Sequence, residues 1–104
     1  MKIVAVTSCP TGIAHTYMAA EALERAAKKA GHEIVVETQG AGGKKDIPTD
    51  IVAAADVAIF AADVPVRDRH RFQHLPIVEA QVKHAIKDAA KIIAEAEAKV
   101  SAKG

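Results

Sequence analysis

The chain alternates short apolar runs with longer stretches of helical periodicity. Residues 2–8 and 57–63 carry β-branched and small apolar side chains on both faces, which is typical of central strands in a parallel sheet. Residues 33–39 indicate a further strand between them. Residues 16–31 set charged side chains on one face and alanines largely on the other, so a helix is predicted there.

The second half of the chain carries shorter elements. A glycine-rich turn follows the second strand, and Pro48 suits the first turn of a short helix. Residues 64–74 form a charged connection with room for one helical turn, and residues 75–80 indicate a short edge strand. From Gln81 the apolar spacing predicts one long final helix, of which residues 98–104 are expected to form a frayed tail or a linker.

Strands that alternate with helices favour an α/β fold, because right-handed crossovers lay helices on both faces of a parallel sheet. We therefore expect a three-layer α/β/α domain with a four-stranded parallel sheet, of the flavodoxin-like or Rossmann-like type. If the strand order is 2-1-3-4, the binding crevice lies between the first and third strands, beyond their carboxyl ends. The loops that begin at Cys9 and Asp63 would flank that crevice.

Composition narrows the class of protein. The chain has 104 residues, which suits a single domain spanning 1–104. Half of the residues are hydrophobic but only 3% are aromatic, so the core must be built from alanine, valine and isoleucine. Lysine and arginine total 14 against 13 acidic residues, and the net charge of +1 gives no broad footprint for nucleic acid or membrane.

The single cysteine and the short apolar stretches favour a cytoplasmic protein. One cysteine cannot form an internal disulfide, which fits a reducing compartment. No signal peptide is expected at the start of the chain, and no apolar stretch reaches the length of about 18 residues that spans a bilayer.

The segment TSCPTGIAHT, residues 7–16, carries the candidate chemistry. Cys9 follows a strand and precedes a helix, and Gly12 lets the backbone approach a ligand closely. Free amides of the loop and of the first helical turn would bind an anion, with the hydroxyls of Thr11 and Thr16 as further donors. The same field lowers the pKa of a thiol from about 8.5 and makes it nucleophilic, which suggests a phosphocysteine intermediate.

The spacing of this loop resembles that of cysteine-dependent phosphatases, with one difference. In those enzymes five residues separate the cysteine from an arginine and a serine or threonine, whereas His15 and Thr16 occupy these positions here. Arginine binds a phosphoryl group through two parallel hydrogen bonds, and a neutral histidine cannot form this bidentate contact. A phosphatase-like Asp-Pro pair is also missing, because Val64 separates Asp63 from Pro65. The site is therefore expected to hand a phosphoryl group on rather than to hydrolyse it.

Several residues have two interpretations that the sequence leaves open. Cys9 itself could be a small buried core residue. His15 could donate to phosphate or hold the loop through backbone contacts. Asp63 could orient the loop or repel stray nucleophiles, or it could be a cap or turn residue after its strand. Gln39 and Gly40 could line the crevice or form a plain turn.

No metal, nucleotide or other cofactor is predicted. His70 and His74 are four residues apart, but no cysteine or glutamate is suitably spaced to complete a zinc site. The lone GAGG stretch after the second strand lacks the G-x-G-x-x-G spacing of a dinucleotide-binding turn. The arginines of residues 67–72 are interpreted as a solvated loop or as a docking surface for an acidic partner.

Three stretches, CPTGIAHTYMAAEAL, GHEIVVETQG and AAADVAIFAADVPV, make the chain resemble a known family. It resembles the fructose-type enzyme IIB domains of the bacterial phosphoenolpyruvate-dependent sugar phosphotransferase system, and the likeness extends through Arg71-Phe72 to VKHAIK near the end. The resemblance implies the parallel sheet of order 2-1-3-4. It also implies that Cys9 accepts a phosphoryl group from a phosphohistidine of enzyme IIA and passes it to a fructose-like sugar held by the membrane enzyme IIC.

The leading interpretation is thus a cytoplasmic phosphocarrier enzyme, monomeric in isolation, that works at the inner face of the membrane when docked on enzyme IIC. It needs no diffusible cofactor, because positioned dipoles and an in-line path suffice for phosphoryl transfer. A low-molecular-weight cysteine phosphatase and a non-catalytic phosphate-binding regulatory module are the alternatives. The residues expected to hold the phosphoryl group next to Cys9 are Pro10, Thr11, Gly12, Ile13, Ala14, His15 and Thr16.

Overall fold

A computed structural model of the protein describes residues 1–8, 13–39 and 47–103. The strands in this part of the chain are β1 (Lys2–Ser8), β2 (Glu33–Gln39), β3 (Val57–Ala62) and β4 (Ile77–Ala80). The helices are α1 (Ile13–Lys29), α2 (Thr49–Ala54), α3 (Val82–Lys87) and α4 (Ala89–Lys103), and a 3-10 turn covers Arg69–Phe72.

The four described strands form one parallel sheet in the order β2-β1-β3-β4. The predicted fold class and strand order are therefore confirmed. Ser8, the last residue of β1, is level with Gln39 of β2 on one side and with Ala62 of β3 on the other. The carboxyl ends of these three strands thus meet at one edge of the sheet, where the order of the strands reverses.

Side chains alternate between two cores because neighbouring residues of a strand face opposite sides of the sheet. The larger core packs one face of the sheet against α1, α3 and α4, and the smaller packs the other face against α2 and the 3-10 turn. Members of the larger core include Ile3, Ala5, Leu23, Ile59 and Ile93. Members of the smaller core include Val4, Val6, Val52, Phe60 and Phe72.

Helix α1 begins at Ile13, three residues before the start that the sequence pattern predicts. Its buried face carries small side chains and one leucine, which allows close approach to the sheet. The helix ends with Gly31 in a left-handed conformation, at φ 85°, and the amide of His32 donates to the carbonyl of Ala27. Glycine adopts this conformation without a steric penalty, so the chain can reverse into β2.

The prediction of one continuous final helix is wrong. The chain leaves helical geometry at Asp88, at φ −148° and ψ 62°, between α3 and α4. Asp88 Oδ1 accepts a hydrogen bond from the amide of Lys91 at 3.3 Å, so this carboxylate caps the start of α4.

Across the described residues, no helix is long and apolar enough to cross a membrane.

Strand β4 is an edge of the described sheet and has only four residues. The ammonium of Lys99, on α4, donates to the carbonyl of Ile77 at 2.7 Å. A main-chain acceptor on this strand is thus satisfied by a side chain of the neighbouring helix.

Candidate functional site

The proposed nucleophile lies between two well-defined elements. Cys9, Pro10, Thr11 and Gly12 fall outside the described residues, as does Gly40. Ser8 ends a central strand and Ile13 begins α1, so these four positions connect the carboxyl end of a parallel strand to the N-terminal end of a helix. Backbone amides at such a junction lack partners within the helix, and the helix dipole favours an anion there.

Two of the predicted crevice residues lie on opposite sides of Ser8. Gln39 is its register partner in β2, and the backbone amide of Asp63 donates to the Ser8 carbonyl at 3.0 Å. Residues that are far apart in sequence therefore border the point from which the chain continues to Cys9.

The first turn of α1 presents the predicted phosphate-binding residues in two different environments. Ala14 and His15 are exposed, whereas Thr16 is 3% exposed and packs inward. The His15 side chain is therefore accessible to a ligand from solvent. Close by in sequence, Thr7 has a buried hydroxyl with no hydrogen-bond partner in the part of the chain that the structure describes.

Asp63 acts as a cap in the structure. Its Oδ1 accepts a hydrogen bond from the amide of Val82, the first residue of α3, at 3.1 Å. This contact agrees with the interpretation of Asp63 as a cap residue after its strand, and the capped element is α3.

Gln39 is joined to the 64–74 connection by two hydrogen bonds. The amide of Arg67 donates to Gln39 Oε1 at 2.8 Å, and Gln39 Nε2 donates to the Arg67 carbonyl at 3.1 Å. Gln39 is buried at the end of β2 and is not a plain turn residue. Since Asp63 bonds to β1 and Arg67 bonds to β2, the connection after β3 runs past the end of β1 toward β2.

A buried carboxylate next to Gln39 escaped the sequence analysis. Glu37 is 1% exposed, on the same face of β2 as Gln39. Its Oε1 accepts from Arg71 Nη1 at 2.8 Å and from the amide of Ile47 at 3.0 Å. Its Oε2 accepts from Arg71 Nη2 at 2.9 Å and from Gln39 Nε2 at 2.6 Å. The carboxylate therefore receives a bidentate arginine and two further donors.

These contacts set the charge state of Glu37. Burial raises the pKa of this carboxyl, but hydrogen bonds from Arg71, Gln39 and Ile47, together with the arginine charge, outweigh burial. The pKa of Glu37 therefore lies below its ordinary value of 4.5. The ion pair is fully formed at neutral pH.

Arg71 is also anchored to its own segment. Its Nε donates to the carbonyl of Asp68 at 2.9 Å, and its guanidinium lies 4.8 Å from the ring centroid of Phe72. Phe72 in turn packs edge-on against Phe60, with ring centroids 5.3 Å apart. For Arg71, the expectation of a solvated loop or docking surface is wrong, because its side chain is only 25% exposed and pairs with Glu37.

The fold and the position of the candidate site define a parallel α/β domain of the flavodoxin-like type with a strand-to-helix connection at its switch point. Residues 4–95 match the family model described as the lactose/cellobiose-specific IIB subunit of the phosphotransferase system. The chain belongs to this enzyme IIB family. Members of the family are phosphotransferases that work in a phosphotransfer chain with other components of the system.

Individual relatives agree with the family model. The chain is 47% identical over 98 residues to the fructose-like EIIB component 2 of Escherichia coli K12, covering 93% of this chain and 92% of the relative. It is 50% identical over 104 residues to the fructose-specific EIIB'BC component of Xanthomonas campestris, covering 99% of this chain and 18% of that longer protein. A solution structure of an E. coli K12 enzyme IIB subunit matches with a TM-score of 0.88 and 41% identity, over 98% of this chain and 95% of that one. These matches do not favour the phosphatase or the non-catalytic binding module.

Proposed function

We propose that the protein is a phosphohistidine–sugar phosphotransferase that carries the phosphoryl group on Cys9. Enzyme IIA is the donor, and a fructose-like sugar bound by the membrane enzyme IIC is the acceptor. The whole chain, residues 1–104, acts as one phosphocarrier domain. Backbone amides between Pro10 and Thr16 bind the phosphoryl oxygens, and His15 assists from the first turn of α1.

The proposed reaction has two steps. The Cys9 thiolate attacks the phosphorus of the phosphohistidine, an S–P bond forms and the P–N bond breaks. The electron pair goes to the ring nitrogen, and because the other ring nitrogen is protonated, the histidine leaves as neutral imidazole. In the second step a sugar hydroxyl attacks the same phosphorus, the S–P bond breaks, and the thiolate leaves while the hydroxyl proton goes to a base. Both steps need an anion-stabilising environment and an in-line path, and neither needs a metal or a diffusible cofactor.

The observation that carries this proposal is the position of the connection from Ser8 to Ile13. It follows a central strand and precedes the N-terminal end of a 17-residue helix, and Ser8, from which it continues, lies between Gln39 and Asp63. A thiol in such a connection is close to backbone amides and to the positive end of the helix dipole, which favours both the thiolate and a bound phosphoryl group.

The choice of sugar rests on the relatives. The E. coli and Xanthomonas proteins named above, 47% and 50% identical, are called fructose-like and fructose-specific. The family model is named for lactose and cellobiose. The individual proteins resemble the chain over nearly its full length, so a fructose-like acceptor is the better-supported proposal.

The location and partners follow from the same proposal. A domain that shuttles between enzyme IIA and enzyme IIC works in the cytoplasm, at the inner face of the membrane when it is docked on IIC, and as a monomer when isolated. The Xanthomonas relative named EIIB'BC supports an association with a IIC component.

Intact-mass measurement tests the proposal directly. The protein is incubated with phosphoenolpyruvate, the general phosphotransferase proteins and enzyme IIA, alongside a Cys9→Ser variant. Because the chain has one cysteine, a stable adduct of one phosphoryl group in the wild type and none in the variant supports the phosphocysteine. Membranes that contain enzyme IIC and fructose should then discharge the adduct.

The alternatives have their own outcomes. Release of inorganic phosphate without IIC and sugar would favour a phosphatase. Phosphate binding that is retained in Cys9→Ser, with no adduct in the wild type, would favour a non-catalytic module.

A further inference from the structure

The ion pair of Glu37 and Arg71 joins two segments that border the candidate site. From β2, Glu37 binds the amide of Ile47, the first described residue after the glycine-rich segment 40–46. Through Arg71 it also binds the connection that follows β3, whose residue Arg67 is paired with Gln39. The pair therefore connects Ile47 and the 64–74 connection to the carboxyl half of β2.

Arg71 organises the backbone of this connection as well as neutralising the carboxylate. Its Nη2 donates to the carbonyl of Arg67 at 3.3 Å, and its Nε donates to the carbonyl of Asp68. Asp68 has a left-handed backbone, at φ 56° and ψ 37°, which is unfavourable for a residue with a β-carbon. A contact from the guanidinium thus holds the chain in a conformation that it would not favour alone.

Stability alone gives little reason for a charged pair at this position. Buried ion pairs seldom stabilise a fold more than apolar side chains of similar volume, because both charges lose their hydration. The pair instead fixes the orientation of both side chains, because a bidentate arginine–carboxylate contact holds the two groups in one plane. Gln39 Nε2 donates to this carboxylate at 2.6 Å, so the orientation of Gln39 beside Ser8 depends on the pair.

We propose that Glu37 and Arg71 are positioning residues of the phosphotransfer site. Their ion pair holds Gln39 and the backbone at Arg67 as one wall beside the strand end that leads to Cys9. Neither residue touches the phosphoryl group in this proposal. The inference rests on the proposed function, because it assigns the wall to a site at which Cys9 is phosphorylated.

Variants that separate positioning from stability test the inference. Single changes, Glu37→Gln or Arg71→Met, remove one charge of a buried ion pair and should destabilise the fold. The double variant, Glu37→Gln with Arg71→Met, removes both charges and should recover much of the lost stability. Arg69→Met is the matched control, because Arg69 is in the same 3-10 turn but pairs with exposed Glu79 at 3.3 Å.

The measurement is the rate of phosphoryl transfer from phosphorylated enzyme IIA, per folded molecule and well below each unfolding midpoint. In the double variant we expect kcat to fall by roughly 10- to 100-fold, because small displacements of a reacting geometry have effects of this size. The KM for the donor protein should change little, since Glu37 is buried and Arg71 is mostly buried. Arg69→Met should transfer at the wild-type rate.

Two results would overturn the inference. One is a double variant that transfers at the wild-type rate per folded molecule, and the other is an effect confined to KM. If the single variants do not fold, the double variant still decides the matter.

Failure of the proposed function would be recognised separately. It would appear as a wild-type protein that accepts no phosphoryl group. The positioning inference would then be judged on alkylation of Cys9 by iodoacetamide, which requires no partner protein. A severalfold change of that rate in the double variant would support the inference, and an unchanged rate would overturn it.

Discussion

Asp63 and Val82 connect the end of one strand to the start of a helix 19 residues further on. The carboxylate of Asp63 accepts from the amide of Val82, while the Asp63 amide donates to the carbonyl of Ser8. One residue therefore links β1, β3 and α3 at the edge of the sheet where the candidate site lies. A negative charge at this end of α3 also interacts favourably with the free amides of its first turn.

Replacing Asp63 by alanine should lower the free energy of unfolding by about 1 kcal/mol, the usual cost of losing a helix cap. Asp63→Asn keeps an oxygen acceptor for the Val82 amide and should lose less. Urea unfolding of the three proteins measures the difference. Equal losses in the two variants would show that charge, and not the hydrogen bond, is the source of the effect.

Glu37 should make the stability of the protein sensitive to acid. Because its pKa is lowered in the folded state from the ordinary 4.5, the stabilisation is complete above that value and is lost as the pH falls through the lower, folded pKa. At neutral pH, Glu37→Gln should be less stable than the wild type by up to about 3 kcal/mol, since it leaves Arg71 without its carboxylate. The difference in stability between the two proteins should narrow as the pH falls below 4.5 and through the lower, folded pKa of Glu37.

Thermal unfolding of the wild type and Glu37→Gln at neutral pH and below pH 4.5 measures how far their difference in stability narrows. Glu79→Gln is the control, because Glu79 is an exposed carboxylate with one contact of 3.3 Å to Arg69. It should follow the wild-type pH dependence. A constant gap between wild type and Glu37→Gln would contradict the assignment of the acid sensitivity to Glu37.

Asp68 offers a test of backbone strain. Its left-handed conformation, at φ 56°, should be relieved by Asp68→Gly, which we expect to raise the free energy of unfolding by a few tenths to about 1 kcal/mol. The gain is limited because glycine also increases the conformational entropy of the unfolded chain. Asp68→Ala should be destabilising, since alanine tolerates this region less well than aspartate does. Denaturant titration that ranks alanine above glycine would refute the strain argument.

His15 tests the proposal that the protein carries a phosphoryl group rather than hydrolysing it. It is exposed in the first turn of α1, at the position where cysteine-dependent phosphatases have arginine. His15→Arg should shorten the lifetime of the phosphorylated protein by about tenfold, because a permanently charged fork stabilises the transition state for attack by water.

Intact mass followed over time gives the lifetime of the phosphoryl adduct. His15→Gln, which adds no charge, serves as the comparison and should not accelerate the loss of phosphate. Equal lifetimes in the arginine variant and the wild type would contradict the role expected of His15.

The central strands were predictable because their signal is local, whereas the strand order 2-1-3-4 was implied by the family resemblance. An apolar run such as residues 57–62 indicates a buried strand without reference to the rest of the chain. The alternation of strands with helices then leaves few topologies for a parallel sheet. The break at Asp88 was missed because the apolar spacing on either side of it is continuous, and one aspartate was enough to cap a new helix.

The pair of Glu37 and Arg71 was not predictable in the same way. The two residues are 34 positions apart, and neither shows in its own neighbourhood that it has a partner. The available signal was weak: Glu37 is a charged residue within a β-branched strand, but β2 was expected at an edge of the sheet, where a charge is common. Long-range pairing of this kind depends on how the 64–74 connection crosses toward β2, which local patterns do not specify.

The contact between Lys99 and Ile77 has a consequence for the behaviour of the protein in a crowded cell. An edge strand can act as a template on which a strand from another molecule pairs, and such pairing can begin aggregation. A strand approaching β4 would have to displace the Lys99 ammonium from the Ile77 carbonyl and then lie against its positive charge. Together with the shortness of β4, this contact disfavours the pairing of another strand at this edge of the sheet.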